Sequence, residues 1–359
     1  MKKSDRILYF ALFVLIAFGL MILGSLSKND SPRFFSLEKQ LFFVFLGLII
    51  FFVFSAIDWH IFATSRSLLI TLYFISVLSL ALVLVIGKTS RGSTGWFNFG
   101  FFSFQPVEIA KIILILILAK YLSSRHKEIW QFQYLFASGF YALLPIGLVI
   151  LQPDLGGAIV LALIWFALVL VSGIRWSQIF LLLMIFLLVV GVAWSFLLKP
   201  YQRDRILNFV NPQKDILGIG YNRHQALIAI GSGRFLGKGL GWGTQTQLNF
   251  LPLATTDFIF AALAEELGFL GIIILLTAFL VLFFRLSYWI NIFDNNFCKL
   301  FTFGFAFKLL IELFINIGMN TGLLPIIGLA LPFLSYGGSH LLTDFFGLGI
   351  INSMIRHRT

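Results

Sequence analysis

Phe42-Phe43-Val44-Phe45-Leu46-Gly47-Leu48-Ile49-Ile50-Phe51-Phe52-Val53-Phe54 contains neither a charge nor a hydrogen-bonding side chain. It offers water no face, so it reads as a helix surrounded by lipid. Leu163–Gly173 is nearly as apolar, and the whole chain follows suit. Of its 359 residues 59% are hydrophobic and 11% charged, with 44 Phe and a mean hydropathy of +0.97. Soluble domains carry about 25% charged residues. The expected fold class is therefore an all-α polytopic membrane protein.

A span needs about 20 apolar residues. Ten candidates emerge: 7–27, 38–57, 67–87, 106–123, 135–152, 157–173, 178–198, 258–289 (long, so kinked or extending beyond the bilayer), 300–321 and 341–355. Residues 1–359 form a single membrane domain whose one long interruption is the loop 199–257. Lys2, Lys3 and Arg6 ahead of the first apolar run superficially resemble a signal peptide. No small-residue cleavage site follows Leu20–Gly24, so a retained first helix is expected.

Ten spans put both termini on one side. With that side cytoplasmic, the inner ends collect Lys2, Lys3, Arg6, Arg66, Lys120, Arg125, Lys127, Arg175, Arg285, Lys299, Arg356 and Arg358. The outer short segments collect Lys28, Arg33, Lys39, Lys88 and Arg91. Lys and Arg near span ends favour the cytoplasm, and long loops count little in that rule. The expectation is a cytoplasmic-membrane protein with both termini inside and the 199–257 loop outside. A net charge of +11 suits anionic lipid or an anionic substrate. The basic residues line no single water-facing surface, so no nucleic-acid partner is expected. One cysteine, Cys298, excludes an intramolecular disulfide and a cysteine-based metal site.

A charge inside a span is costly and needs a reason. Glu108 and Lys111 lie three apart on one helix, and Lys308 and Glu312 four apart on another, so each pair shares a face. They read as polar glue in a bundle, or as the wall of a hydrophilic cavity that admits a lipid headgroup. Asp154 sits in Gln152-Pro153-Asp154-Leu155-Gly156-Gly157, a helix break tolerated at membrane depth where it lines a cavity. N-capping of the following helix is its other reading.

The long loop holds seven of the 26 basic residues: Lys199, Arg203, Arg205, Lys214, Arg223, Arg234 and Lys238. Ile206–Val210 suits a short interfacial helix ended by Asn211-Pro212. Arginine forks match phosphate, although arginines beyond a span also snorkel to headgroups. The glycines from Gly231 to Gly243 form no Walker pattern, which excludes an ATP loop. They allow backbone N–H groups to approach an anion, or else make an ordered surface loop of tight turns. Asp257 closes the loop at the start of a helix whose dipole stabilises a carboxylate. It is a candidate general base, or a holder of a divalent cation. Around the helix Glu265 falls roughly 80° from Asp257 and Glu266 on the opposite face, so neither is expected to form a close carboxylate pair with it, and packing or a partner is their expected role.

Several strings together resemble the SEDS family (shape, elongation, division and sporulation). They are Gln105-Pro106-Val107-Glu108-Ile109-Ala110-Lys111, Gln152-Pro153-Asp154-Leu155-Gly156, Asn249-Phe250-Leu251-Pro252, Thr256-Asp257-Phe258-Ile259-Phe260-Ala261 and Ala264-Glu265-Glu266-Leu267-Gly268. Asn316-Ile317-Gly318-Met319, Thr321-Gly322-Leu323-Leu324-Pro325 and Leu331-Pro332-Phe333-Leu334-Ser335-Tyr336-Gly337-Gly338-Ser339 continue the match over nearly the whole chain. Gly237-Lys238-Gly239 with Gly243-Thr244-Gln245 is more similar to the RodA branch than to the FtsW branch.

The resemblance implies ten membrane helices and a glycosyltransferase that polymerises lipid II on the outer face of the cytoplasmic membrane. No organic cofactor is implied, with Mg2+ or Mn2+ as an alternative route to charge neutralisation. It also implies a class B penicillin-binding protein (a transpeptidase) as partner, among other elongation-complex membrane proteins. The family's essential acid maps onto Asp257, its cavity pair onto Glu108 and Lys111, its Gln-Pro-Asp acid onto Asp154 and its motif Trp onto Trp96. Arg203, Arg205 and Lys238 are the expected diphosphate contacts. The chain departs from the family pattern at Gly95, Arg234, Leu253, Thr255 and His340. Two other readings remain at this stage: a flippase for the same lipid, and a scaffold that activates the transpeptidase.

Overall fold

The computed structural model describes residues 5–27, 31–90, 93–100, 102–125, 131–192, 195, 200–211, 218 and 220–357. Lys199, Lys214 and six basic residues used for orientation (Lys2, Lys3, Lys28, Arg91, Lys127 and Arg358) lie outside them. The helices are α1 Arg6–Leu26, α2 Ser31–Ala56, α3 His60–Thr64, α4 Arg66–Ile86, α5 Pro106–Ser124, α6 Phe132–Leu151, α7 Leu155–Val171 and α8 Trp176–Val192. They continue with α9 Pro200–Val210, α10 Tyr221–Ser232, α11 Thr244–Gln247, α12 Ile259–Ile292, α13 Asn296–Asn320 and α14 Gly338–Arg356. All but α3, α9, α10 and α11 correspond to the ten expected spans within a few residues.

Six of them (α1, α2, α4, α6, α12 and α13) are long and apolar enough by themselves to cross a membrane. The 17 residues of α7 and of α8 meet the lower bound for a span. Three charges dilute α5, and His340, Asp344 and Asn352 dilute α14, yet nearly all of both helices is buried inside the bundle. Central α5 touches α4, α6, α7, α13 and α14, while α2 lies along α14 and α1 along α12. Packing on every side explains why α5 is apolar all round. By contrast, α8 packs extensively on no other helix among the described residues. Its Trp176 is 86% exposed and its Leu188 67%.

Two elements depart from the expected layout. Residues between α4 and α5 form a three-stranded antiparallel sheet, β1 Lys88–Ser90, β2 Ser93–Asn98 and β3 Ser103–Phe104, with Lys88 opposite Trp96. The long loop is also largely helical: α9 extends the expected short helix back to Pro200, and α10 was not foreseen.

The glycine stretch has a structural partner. At Gly268, with φ 66° and ψ −161°, α12 breaks. The break deprives four backbone groups of helical partners, and the loop supplies them. Lys238 N–H donates to Glu265 O at 3.0 Å and Gly239 N–H to Glu266 O at 2.9 Å. In return Phe269 N–H donates to Arg234 O at 2.9 Å and Leu270 N–H to Phe235 O at 3.0 Å. Gly237 has φ 77°, and a Cβ there would collide with the Glu266 carbonyl. These glycines serve a close backbone approach to a kinked helix, not to an anion.

Inside the bundle the two expected ion pairs merge. Lys111 Nζ lies 2.8 Å from Glu108 Oε1 and 2.8 Å from Glu312 Oε1. Lys308 Nζ lies 2.9 Å from Glu312 Oε2 and pairs with Asp344 of α14 as well. One ladder of five buried charges thus joins α5, α13 and α14. Breaking a buried pair leaves an uncompensated charge, at a cost of about 3–5 kcal/mol.

Two outcomes follow for unfolding in detergent. Gly237→Ala lowers stability by roughly 1–3 kcal/mol from backbone strain alone. Lys308→Met lowers the unfolding midpoint sharply, and the double change Lys308→Met with Asp344→Leu recovers most of that loss.

Candidate functional site

Asp257 occupies a turn fixed from two sides. From α13, Asn316 Nδ2 and Asn320 Nδ2 each donate to its backbone carbonyl at 3.0 Å. Asn320 Oδ1 also accepts from Ala261 N–H in the first turn of α12, at 3.2 Å. From the segment before α14, Ser335 Oγ donates to Thr256 O at 2.6 Å and Tyr336 N–H to Thr255 O at 2.8 Å. The acid is half-buried and precedes the N-cap of α12, so the positive end of that helix faces it. Gly328, with φ +73°, passes close by: a Cβ there would lie 3.5 Å from Asp257 Oδ2.

Asp154 caps α7, accepting from Gly157 N–H at 2.8 Å, and its other oxygen accepts from Gln105 Nε2 at 3.4 Å. The capping and cavity readings therefore both hold. Burial pushes its carboxyl up, against the Gly157 N–H bond and the field of Lys111, which act to lower it. Gln105 N–H in turn donates to Ser339 Oγ at 2.9 Å, tying α5 to α14 beside β3.

These residues converge on one cavity of about 710 Å3. Asp257, Asp154, Glu108, Trp96 and Arg205 all line it, five side chains from well-separated parts of the sequence. Lys39 of α2 and Lys88 of β1 add two cations to its wall. Lys111 lies behind Glu108, 1% exposed, and neither it nor Lys308 or Glu312 lines the cavity. Of the ladder's carboxylates, Glu108 is the one at the cavity.

The remaining expected contacts do not face this space. Arg203 donates through Nη2 to Ser195 O at 3.0 Å. Lys238 pairs with Glu265 Oε1 at 2.7 Å and donates to Thr244 Oγ1 at 2.7 Å. Glu265 also accepts from the Gln245 and Thr246 N–H groups, so it anchors the glycine loop. Glu266 accepts from Ser25 Oγ at 2.5 Å and Gln247 Nε2 at 2.9 Å. Both glutamates do the packing work that their helical angle indicated.

Two buried residues join the list. Asp344 ends the ladder, and His340 lines the cavity floor with its Nε2 unpartnered among the described residues. Each is an ionisable group within or beside the expected span 341–355, the same signal that singled out the other two pairs.

The family model described as cell cycle protein, which covers FtsW, RodA and SpoVE, matches residues 6–359. The chain is 36% identical over 358 residues to the peptidoglycan glycosyltransferase MrdB of Escherichia coli K12, covering 99% of this chain and 94% of that protein. It is 35% identical over 361 residues to the probable peptidoglycan glycosyltransferase FtsW of Wigglesworthia glossinidia brevipalpis, covering 97% and 92%.

Among solved structures, the rod shape determining protein RodA of Thermus thermophilus superimposes with a TM-score of 0.71 at 31% identity, covering 99% of this chain and 98% of that one. A chain from a peptidoglycan synthase complex, described as coordinating polymerization and crosslinking, gives 0.84 at 33% identity, with both chains fully covered. On this evidence the chain belongs to the FtsW, RodA and SpoVE family, the SEDS proteins, and is of the RodA type.

Proposed function

We propose that this protein is a peptidoglycan glycosyltransferase that joins lipid II units into glycan strands during cell elongation. The convergence of Asp257, Asp154, Glu108, Trp96 and Arg205 on one cavity carries this reading. Names of relatives that are similar over their whole length support it.

In the reaction an acceptor sugar hydroxyl attacks the anomeric carbon of a donor sugar. The bond from that carbon to the diphosphate oxygen breaks, its electron pair leaves with undecaprenyl diphosphate, and the hydroxyl proton must be taken up. Asp257 is the base: its backbone is clamped, its side chain faces the cavity and the α12 dipole favours its charged form. Cations placed before the reaction stabilise the charge that gathers on the leaving diphosphate, without reorganising as it forms. Arg205 fills that role, with Lys39 and Lys88 on the wall beside it.

The cavity adjoins the 199–257 loop. The bias of Lys and Arg toward the other span ends supports an outer-face site, with both termini in the cytoplasm. A class B penicillin-binding protein is the proposed transpeptidase partner, in line with the synthase complex that one structural relative belongs to.

Among the described residues no three His, Cys, Asp or Glu side chains converge to hold a metal ion. Asp257 together with substrate diphosphate oxygens is the arrangement in which Mg2+ or Mn2+ would be held.

Purified protein given lipid II in detergent should form glycan polymer on a gel, which requires no flipping. Asp257→Ala should reduce that polymer by about a hundredfold or more while the unfolding midpoint stays within the wild-type range. Full activity in the variant removes Asp257 from the mechanism. A wild-type chain that yields no polymer under any reconstituted condition favours the scaffold reading. Repeating the assay after EDTA checks the metal: activity restored by Mn2+ marks a cation at Asp257, and unchanged activity marks the carboxylate acting as base alone.

A further inference from the structure

A second, smaller cavity of about 190 Å3 lies beside the first. Arg205 and Asn208 of α9 and Asn222 and Arg223 of α10 line it, with Pro325 and Ile326 from the segment after α13. Arg205, Asn222, Pro325 and Ile326 also line the large cavity, so the two share a wall. No Asp or Glu is among the described residues of the small one. Two guanidinium groups and two amides meet in a space suited to a small anion rather than to a disaccharide.

Arg223 is held without being neutralised. Its Nη2 donates to Gly322 O at 2.9 Å, its Nη1 to Phe209 O at 3.4 Å, and the guanidinium stands 5.5 Å over the Phe209 ring. Gly322 has φ +73°, and a Cβ there would come 2.7 Å from Arg223 Nε, so a glycine makes this approach possible. No carboxylate pairs with Arg223 among the described residues. Its Nε and the Nδ2 of Asn208 are buried donors with no hydrogen-bond acceptor among the described residues. Buried donors left unpaired are costly, and a guanidinium fork presented by carbonyls matches phosphate oxygens.

We propose that this niche binds the diphosphate of the lipid-linked donor while its sugar occupies the adjoining cavity with Asp257. The proposal rests on the polymerase reading for the identity of that donor, and on the niche alone for the diphosphate. When the bond between the anomeric carbon and the diphosphate oxygen breaks, both electrons pass to the diphosphate, where Arg205, Arg223 and the two amides receive the added charge. The hydroxyl proton goes to Asp257 in the adjoining cavity.

The test uses the full chain in detergent with farnesyl diphosphate as probe and inorganic pyrophosphate as competitor. Arg223→Ala should weaken farnesyl diphosphate binding about tenfold and raise KM for lipid II by a similar factor, with a smaller effect on kcat. Arg223→Lys should fall between the two, and Asn208→Ala should weaken binding in the same direction.

Competition by pyrophosphate that depends on Arg223 identifies the anion itself as the recognised group. Farnesyl diphosphate binding that depends on Arg223 but resists pyrophosphate places the recognised diphosphate on a prenyl chain. Equal affinity in wild type, Arg223→Lys and Asn208→Ala, all with wild-type unfolding midpoints, overturns the proposal even if Arg223→Ala fails to fold. A chain that binds the probe through Arg223 yet makes no polymer defeats the polymerase reading and leaves the niche standing. A polymerising chain whose KM and probe affinity ignore Arg223 defeats the niche alone.

Discussion

The ladder Glu108–Lys111–Glu312–Lys308–Asp344 is the interaction on which the rest depends. Five ionisable groups in a lipid-embedded bundle are tolerable only together, because each would be an uncompensated charge without its neighbours. Their mutual demand fixes the register of α5, α13 and α14. That register sets the positions of Asn316 and Asn320, which hold the Asp257 turn, and of Ser339, which ties down the start of α5. The site is therefore placed by charges that do not all touch it.

Acids stand on clamped backbone: Asp154 as a helix cap, Asp257 in its pinned turn and Glu108 against Lys111. The cations Lys39, Lys88 and Arg205 come from elements around the cavity, namely α2, the small sheet and the loop. The cavity thus sets positive charge on the same wall as Asp257.

Much of this was legible in the chain. Apolar runs located the ten long helices, since burial in lipid needs little beyond length and composition. Helical spacing identified Glu108 with Lys111 and Lys308 with Glu312, but joining the pairs needed a contact between α5 and α13 that no local pattern encodes. The glycine stretch was the less legible part. Its repeated Gly fits an anion loop as well as a backbone interlock, and the partner that decides between them is Gly268, inside a run that otherwise reads as uninterrupted helix. The small sheet escaped because Lys88–Phe104 is short, and α10 because its polar residues sit among loop glycines. Lys238 and Arg203 show the limit of reading charges singly: a cation in a basic loop also serves as a brace.

The kink at Gly268 has a dynamic consequence. Loop and helix are completed by each other's backbone through four hydrogen bonds, each worth about 0.5–1.5 kcal/mol net. Lifting the loop away as a flap would forfeit all four at once, so loop and kink open as one cooperative unit with only a small excited population.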